Sequence, residues 1–385
     1  MGTRLVEPDW SPLTSEEVSG VLAGYDGAGG GCPTPGTVIA WRSPRPMSAA
    51  ALVRRPCSAV FVKRHHKRVR TAAQLVVEHA FAGHLRSHGL AVPAVLRTAA
   101  GKTATTCGDF VYEVHEVAEG VDLYRDAVSW SPFTSLGHAR AAGVALARLH
   151  EAAAGFPLPA RTPGVLTSSC DVIVSADPLA AVVRILGQRP GLARYFDRRH
   201  WQREFAQHHL PAIRRAAPLV KVLSRQWGHG DWHPSNLTWT STAADAEVAA
   251  VFDFGLANRT FAVHDLATAL ERCTVAWLDL AESGRADADL DAIDALLDGY
   301  QTVRPLEASE AAALPELLPV VHLEYALSEI EYFADVVRSP GNADLAYDTY
   351  LNGHARWFEG PEGSAVLDHL RKRARRQKRR QHISR

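Results

Sequence analysis

The stretch His229-Gly230-Asp231-Trp232-His233-Pro234-Ser235-Asn236, followed by Val251-Phe252-Asp253-Phe254-Gly255, decides how this chain is read. It sets two carboxylates and a carboxamide in a fixed order. A carboxylate at Asp231 is able to take a proton from a hydroxyl nucleophile. The amide oxygen of Asn236 and the carboxylate of Asp253 are hard oxygen donors. Mg²⁺ takes such donors from few protein groups while it holds nucleotide phosphates. One group for the nucleophile and two for a metal is a division of labour suited to phosphoryl transfer from a nucleotide.

Upstream, Val60-Phe61-Val62-Lys63 reads as a strand ending in a lysine, and Glu78 follows on a helix. Alone, the pair is a surface lysine and a solvated glutamate. Ahead of Asp231, Asn236 and Asp253, in that order, Lys63 reads as a phosphate contact and Glu78 as the acid that holds it. Around them, β-branched and aromatic runs at Thr37–Trp41, Ala50–Val53, Ala59–Lys63, Val92–Leu96 and Phe110–Val114 predict five strands. A capping-box pattern at Thr14–Glu17 predicts a short first helix, and apolar periodicity predicts a long one over 71–88. Gly27–Gly31 reads as a flexible turn, with no Gly-Lys-Ser/Thr to make it a phosphate loop.

After Gly120 the pattern is mainly helical, at 139–154, 177–221, 260–278, 290–300, 308–318 and 320–337. The expected class is therefore α+β. It has an N-terminal lobe over 1–116, with a five-stranded antiparallel sheet and one long helix. A helical lobe follows over 117–370, and then a basic, disordered tail over 371–385.

At 385 residues the chain is long enough for two lobes, and 46% hydrophobic with 22% charged residues is an ordinary globular balance. No apolar run reaches the length of a membrane helix, and the first residues lack the apolar core of a signal peptide. Five scattered cysteines, none in a Cys-x-x-Cys pair, argue against a disulfide framework or a zinc site and for a reducing cytoplasm. Residues 371–385 hold nine basic residues and no acid, so the rest of this net-neutral chain carries a formal −9. With no aromatic residue to stack on bases, that tail argues against nucleic acid as a partner.

These segments resemble the aminoglycoside phosphotransferase and choline kinase-like superfamily. His229–Asn236 is similar to its His-Gly-Asp-Leu-His-Pro-Gly-Asn string, and Val251–Gly255 to its metal-binding strand. His264-Asp265-Leu266-Ala267 is similar to its Tyr/His-Asp-Leu-Ala segment, and Leu146-Ala147-Arg148-Leu149-His150 to its Leu-Ala-x-Leu-His helix. Tyr112–Gly120 is similar to its strand and hinge, so the matches run from roughly residue 15 to 275. The resemblance implies a protein kinase-like two-lobe fold and an ATP- and Mg²⁺-dependent transfer of the γ-phosphate to a small-molecule hydroxyl. It implies Asp231 as the base and Asn236 and Asp253 as metal ligands. It implies Lys63 on the ATP phosphates with Glu78 positioning it, and the backbone of Glu116 and Ala118 on the adenine. It also implies His229 and Asp265 as supports of the catalytic loop, with His233 a candidate for substrate contact.

Two departures stand out. The turn Ser43-Pro44-Arg45-Pro46-Met47-Ser48 has no glycine, so either Arg45 or Ser48 contacts phosphate through its side chain or the turn is a rigid surface feature. Trp232 replaces a leucine; it either packs beneath the loop or stacks on a ring substrate. Protein kinases are a poorer match, because Gly230 stands in place of the arginine of His-Arg-Asp and only twelve residues separate Asp253 from Asp265.

The acceptor is expected to be an aminoglycoside, amino-sugar or amino-alcohol. Other readings are a homoserine-kinase-like or other metabolite kinase, or a non-catalytic nucleotide-binding protein. Glu324, Glu331 and Asp335 repeat along one helix and either face a cationic acceptor or form a solvated face. Glu271 and Asp279 are further candidates for the pocket.

Overall fold

Thr14 accepts a hydrogen bond from the Glu17 N–H while Glu17 reaches back to the Thr14 N–H, and this capping box starts α1 (Ser15–Ala23) as its sequence predicts. The computed structural model describes residues 8–25, 36–56 and 58–383. The Gly27–Gly31 turn, Cys32 and Cys57 lie outside them; Cys107, Cys170 and Cys273 are free thiols.

Five strands form one antiparallel sheet: β1 (Val38–Arg42), β2 (Ala49–Arg54), β3 (Ala59–His66), β4 (Ala104–Cys107) and β5 (Phe110–Glu116), in the order β1-β2-β3-β5-β4. The number matches expectation but one member does not. Val92–Leu96 is an extended connector that touches the sheet through an isolated bridge from Val95 to His115. Pro93 has no N–H to give a ladder. The fifth strand is Ala104–Cys107, which hairpins onto β5.

Leu13, Val18 and Leu22 of the α1 region pack with Val53, Val60, Val62, Tyr112 and Val114. A second capping box, Thr71 with Gln74, starts α2 (Ala72–Ser87). Phe81 of α2 lies 5.2 Å from the Trp227 ring and edge-on at 5.8 Å to Phe254, so α2 is seated against the strand-and-loop region that carries Asp253.

In the helical part, α3 (Leu136–Ala152) crosses the helix Leu290–Val303 at very close range. A Cβ on Gly143 would lie 2.0 Å from the Leu296 carbonyl oxygen, and one on Gly299 would lie 2.0 Å from that of Arg140. Two short antiparallel ribbons sit beneath: β6 (Arg225–Gly228) with β9 (Asn258–Phe261), and β7 (Leu237–Trp239) with β8 (Val248–Val251). The chain leaves β6 for β7 through residues 229–236 and leaves β8 for β9 through residues 252–257. This topology lays the two chemistry-bearing loops side by side. The helix Ala262–Thr274 follows, with every residue buried.

Two expectations are corrected here. The helix Leu323–Glu331 has no solvated face, because every residue in it is buried. The helix at 340–345 and the π-helical turn at 346–351 pack against it. The stretch expected to be a disordered tail continues a helix, Pro361–Ile383. Val366, Leu367 and Leu370 are buried; Arg371 bonds Glu316 at 2.8 Å and Arg373 bonds Asp294 at 2.7 Å. An acidic stripe on neighbouring helices thus neutralises part of the basic run, and buried apolar contacts supply the ordering energy that composition alone did not suggest. No helix among the described residues is long and apolar enough to cross a membrane.

Candidate active site

The loop 229–236 is held from behind by Asp265, at the start of the helix Ala262–Thr274. Its Oδ2 accepts the His229 N–H at 2.6 Å and its Oδ1 accepts the Gly230 N–H at 2.8 Å. His150 of α3 reaches Oδ2 at 3.1 Å, and the Tyr300 hydroxyl fixes the other ring nitrogen at 2.7 Å. Burial pushes the Asp265 carboxyl up, but these bonds and the nearby imidazoles bring it below its ordinary value. Gly230 has φ +75°, and a Cβ there would lie 2.3 Å from the Leu256 carbonyl oxygen, so this position admits glycine alone.

His229 Nδ1 accepts the Asp231 N–H at 3.2 Å, which leaves Nε2–H to donate to the Phe252 carbonyl at 3.0 Å. One neutral imidazole therefore ties the two loops together. His229 and Asp265 thus both bond to the loop that carries Asp231. Trp232 is fully buried and edge-on to His229 at 5.4 Å, so it packs under the loop and offers no face to a ring substrate.

Asp253 sits at φ +60°. Both of its carboxylate oxygens accept from the Lys63 ammonium at 2.9 Å. Burial raises its pKa, but the ammonium outweighs burial and brings it down to about 2. Asn236 donates through Nδ2 to the Asp231 carbonyl at 2.9 Å, so its Oδ1 is the atom turned over to other partners. Asp253 and that oxygen make a hard-oxygen pair that fits Mg²⁺. The Asp231 carboxylate forms an ion pair with Arg272, and His233 Nε2 lies 3.6 Å from its Oδ1.

Lys63 makes its hydrogen bonds to Asp253, and Glu78 acts on it through charge alone. Glu78 Oε1 accepts from Arg70 at 3.0 Å and from Arg161 at 2.6 Å, and both arginines also donate to the Gly255 carbonyl at 2.8 Å. Two guanidinium forks satisfy the glutamate, which then anchors α2 to the turn after Asp253. The acid that faces Lys63 within the sheet is Glu113, its cross-strand partner. His65, His79 and His115 all present Nε2 to Glu113 within 3.0 Å and hold its carboxyl well below the ordinary value against the effect of burial.

Other expected contacts are redirected as well. Arg45 donates to the carbonyls of Ala127 and Tyr124, and no hydrogen bond brings Ser48 to the loops among the described residues. The Glu116 N–H is taken by the Ala94 carbonyl at 2.8 Å, and its carboxylate by Arg86 at 3.1 Å. Ala118 has no backbone partner for its N–H among the described residues. Glu324 is buried on Ser169 and the Val172 N–H, Glu331 pairs with Arg189, and Asp335 with Arg68 and Arg194. None of the three is free for a cationic acceptor. Glu271 is buried and takes the His354 Nδ1 at 2.7 Å.

Sequence reading missed Arg272 and Glu113. The signal for Arg272 is its spacing of seven from Asp265, two helical turns along the same face. The signal for Glu113 is the register that sets it opposite Lys63.

Burial keeps several histidines neutral: His209 and His233 are pushed down to about 3, and His264 and His322 to about 4. A histidine whose folded pKa lies below its unfolded value takes up its proton on unfolding. Stability is then complete above about pH 6.5 and is lost as pH falls toward the folded values, by about 1.4 kcal/mol per pH unit per histidine. Three buried carboxyls act in the opposite sense: burial pushes Glu271 up to about 8 and Glu324 and Glu329 up to about 7, so each releases a proton on unfolding and favours the fold as pH falls. Four rings against three carboxyls should leave urea-unfolding free energies falling modestly between about pH 6.5 and pH 5; a rise over that range would mean that these rings are charged in the folded protein.

Loops of this make, under a five-stranded sheet and backed by helices, define a two-lobed phosphotransferase fold. The chain belongs to the phosphotransferase enzyme family, whose model matches residues 51–306. It is 29% identical over 287 residues to a homoserine kinase of Methylobacterium nodulans, a match covering 72% of this chain and 77% of that protein. A homoserine kinase of Paramagnetospirillum magneticum is 26% identical over 247 residues, covering 64% of this chain and 66% of that one. For the homoserine kinase of Azorhizobium caulinodans the match is 31% over 192 residues and spans half of the relative's length. Among solved structures, an amicoumacin kinase in complex with AMP-PNP, Ca²⁺ and its ligand superposes with TM-score 0.58 at 14% identity, covering 94% of each chain. An aminoglycoside phosphotransferase from Alicyclobacillus acidocaldarius gives 0.52 at 19%, covering 95% of this chain and 98% of that one. The likeness to these structures is one of fold.

Proposed function

We propose that this chain transfers the terminal phosphate of ATP to the hydroxyl of a hydroxy-amino acid of the homoserine kind. The observation that carries the reading is the juxtaposition of the Lys63–Asp253 pair, the Asn236 amide oxygen and the Asp231 carboxylate on two adjoining loops. In this reading Lys63 holds the phosphates, and Asp231 orients the acceptor hydroxyl and takes its proton late, as phosphoryl transfer leaves the protein chiefly to position and neutralise. Asp253 and Asn236 would hold Mg²⁺, which would supply charge neutralisation at the phosphates. The hinge backbone at Glu116–Ala118 borders the base, through the Ala118 N–H rather than that of Glu116.

Two observations favour a hydroxy-amino acid over an aminoglycoside. The acids that would greet a polycation, Glu324 and Glu331, are buried on partners of their own. Curated relatives that match 64% and 72% of this chain are homoserine kinases. Purified protein with ATP and Mg²⁺ should phosphorylate L-homoserine above an Asp231→Asn control and above kanamycin, glucosamine and choline. If none of these acceptors reacts above the control, the kinase reading fails. If an aminoglycoside is the best acceptor, the acceptor assignment fails.

A further inference from the structure

Beside Asp231 the helices enclose polar atoms that have no hydrogen-bond partner among the described residues. Arg272 is buried with its guanidinium 4.9 Å from the ring centroid of Trp130 and 4.9 Å from that of Tyr325. Its Nη1 meets Asp231 as an ion pair, and its Nε has no hydrogen-bond partner among the described residues. Glu329 is 1% exposed and its Oε1 has no hydrogen-bond partner among the described residues. The Tyr350 hydroxyl, also unpartnered, belongs to a ring 5.0 Å from Trp130 and 6.1 Å from Tyr325. Trp130 itself is held at φ +69°, a costly conformation for a bulky residue.

Buried polar atoms are nearly always paired, so unpaired ones gathered at a reaction centre point to a ligand that pairs them. Their chemistry says which ligand. A guanidinium clamped between two ring faces is a preset planar fork for a carboxylate, and a buried carboxylate calls for an ammonium. A neutral sugar has no charge to offer either group, and a polycation would meet Arg272.

We propose that Arg272 receives the carboxylate and Glu329 the ammonium of a zwitterionic hydroxy-amino acid, and that the arriving carboxylate draws Arg272 away from Asp231. This rests on the kinase reading above and adds a recognition rule and a latch. Without acceptor, Arg272 covers the Asp231 oxygen. With acceptor bound, that oxygen faces the hydroxyl. Charge selection and release of the base are then one event.

The test compares L-homoserine with 3-aminopropan-1-ol, which lacks the carboxylate, and with 4-hydroxybutanoate, which lacks the ammonium. The wild-type protein should prefer homoserine to each by about 100-fold in kcat/KM. Arg272→Gln should collapse the homoserine to 3-aminopropan-1-ol ratio, and Glu329→Gln the homoserine to 4-hydroxybutanoate ratio. A ratio is unmoved by a general loss of activity, so a purely structural role for Arg272 would leave it intact and overturn the proposal. Should Arg272→Gln not fold, Arg272→Lys, which keeps the charge and loses the fork, and the wild-type preference decide. Equal use of the three alcohols by the wild type overturns the inference while sparing the kinase reading. Failure to phosphorylate any alcohol overturns the reading itself.

Discussion

Asp253→Asn should lower turnover by about 10³-fold or more at saturating ATP, with the fold retained. The size follows from what the carboxylate does in the proposed site, where one metal ligand and one countercharge to Lys63 disappear together and transition-state charge stabilisation of several kcal/mol goes with them. The substitution is chosen for its backbone. Asp253 lies at φ +60°, where asparagine is among the few non-glycine residues that sit comfortably. The loss is then chemical, not conformational. Lys63 keeps Glu113 across the sheet, which with Asp253 raises its pKa against the opposing effect of burial. Removing Asp253 should therefore bring the lysine pKa down without leaving the ammonium unmatched. Turnover at saturating ATP, with the melting temperature measured beside it, tests this; activity within tenfold of wild type in a folded variant would rule out Asp253 as a ligand.

What could be read from the chain beforehand follows a physical line. The two loops were legible because phosphoryl-transfer chemistry demands particular side chains at short spacing, and short spacing survives in a sequence. The sheet was legible in number, since β-branched runs between turns mark strands. Val92–Leu96 deceived because composition is no guide to whether Pro93 finds a ladder to join. Glu78 was assigned to Lys63 from its place on α2, but two arginines arriving from residues 70 and 161 claim it. Glu324 and Glu331 looked like a charged face because nothing in the pattern shows that the segments after residue 340 fold over their helix. For Arg272 the spacing from Asp265 marks a helix face but not a role, for a related reason. Its meaning depends on Asp231, Trp130 and Tyr325, three residues that only tertiary packing brings to it.

Asp231→Asn should lower kcat by about 10²–10⁴-fold, the range for losing a general base, while KM for ATP changes little. Asp231 makes no contact with Lys63, whose ammonium is committed to Asp253. Nucleotide affinity and acceptor activation are thus carried by different carboxylates, and their substitutions should separate in kinetics. Asparagine is again the informative replacement. Arg272 is buried and its ion pair is with Asp231. An alanine there would leave a buried guanidinium without a countercharge, at a cost on the order of 3–5 kcal/mol. An asparagine amide oxygen keeps a polar partner beside the guanidinium and should limit that loss. Asp231→Ala is therefore expected to melt well below Asp231→Asn, although both are inactive. If the two variants melted together, Arg272 would not depend on Asp231 in the folded protein, and the coupling of acceptor binding to base release would lose its structural basis.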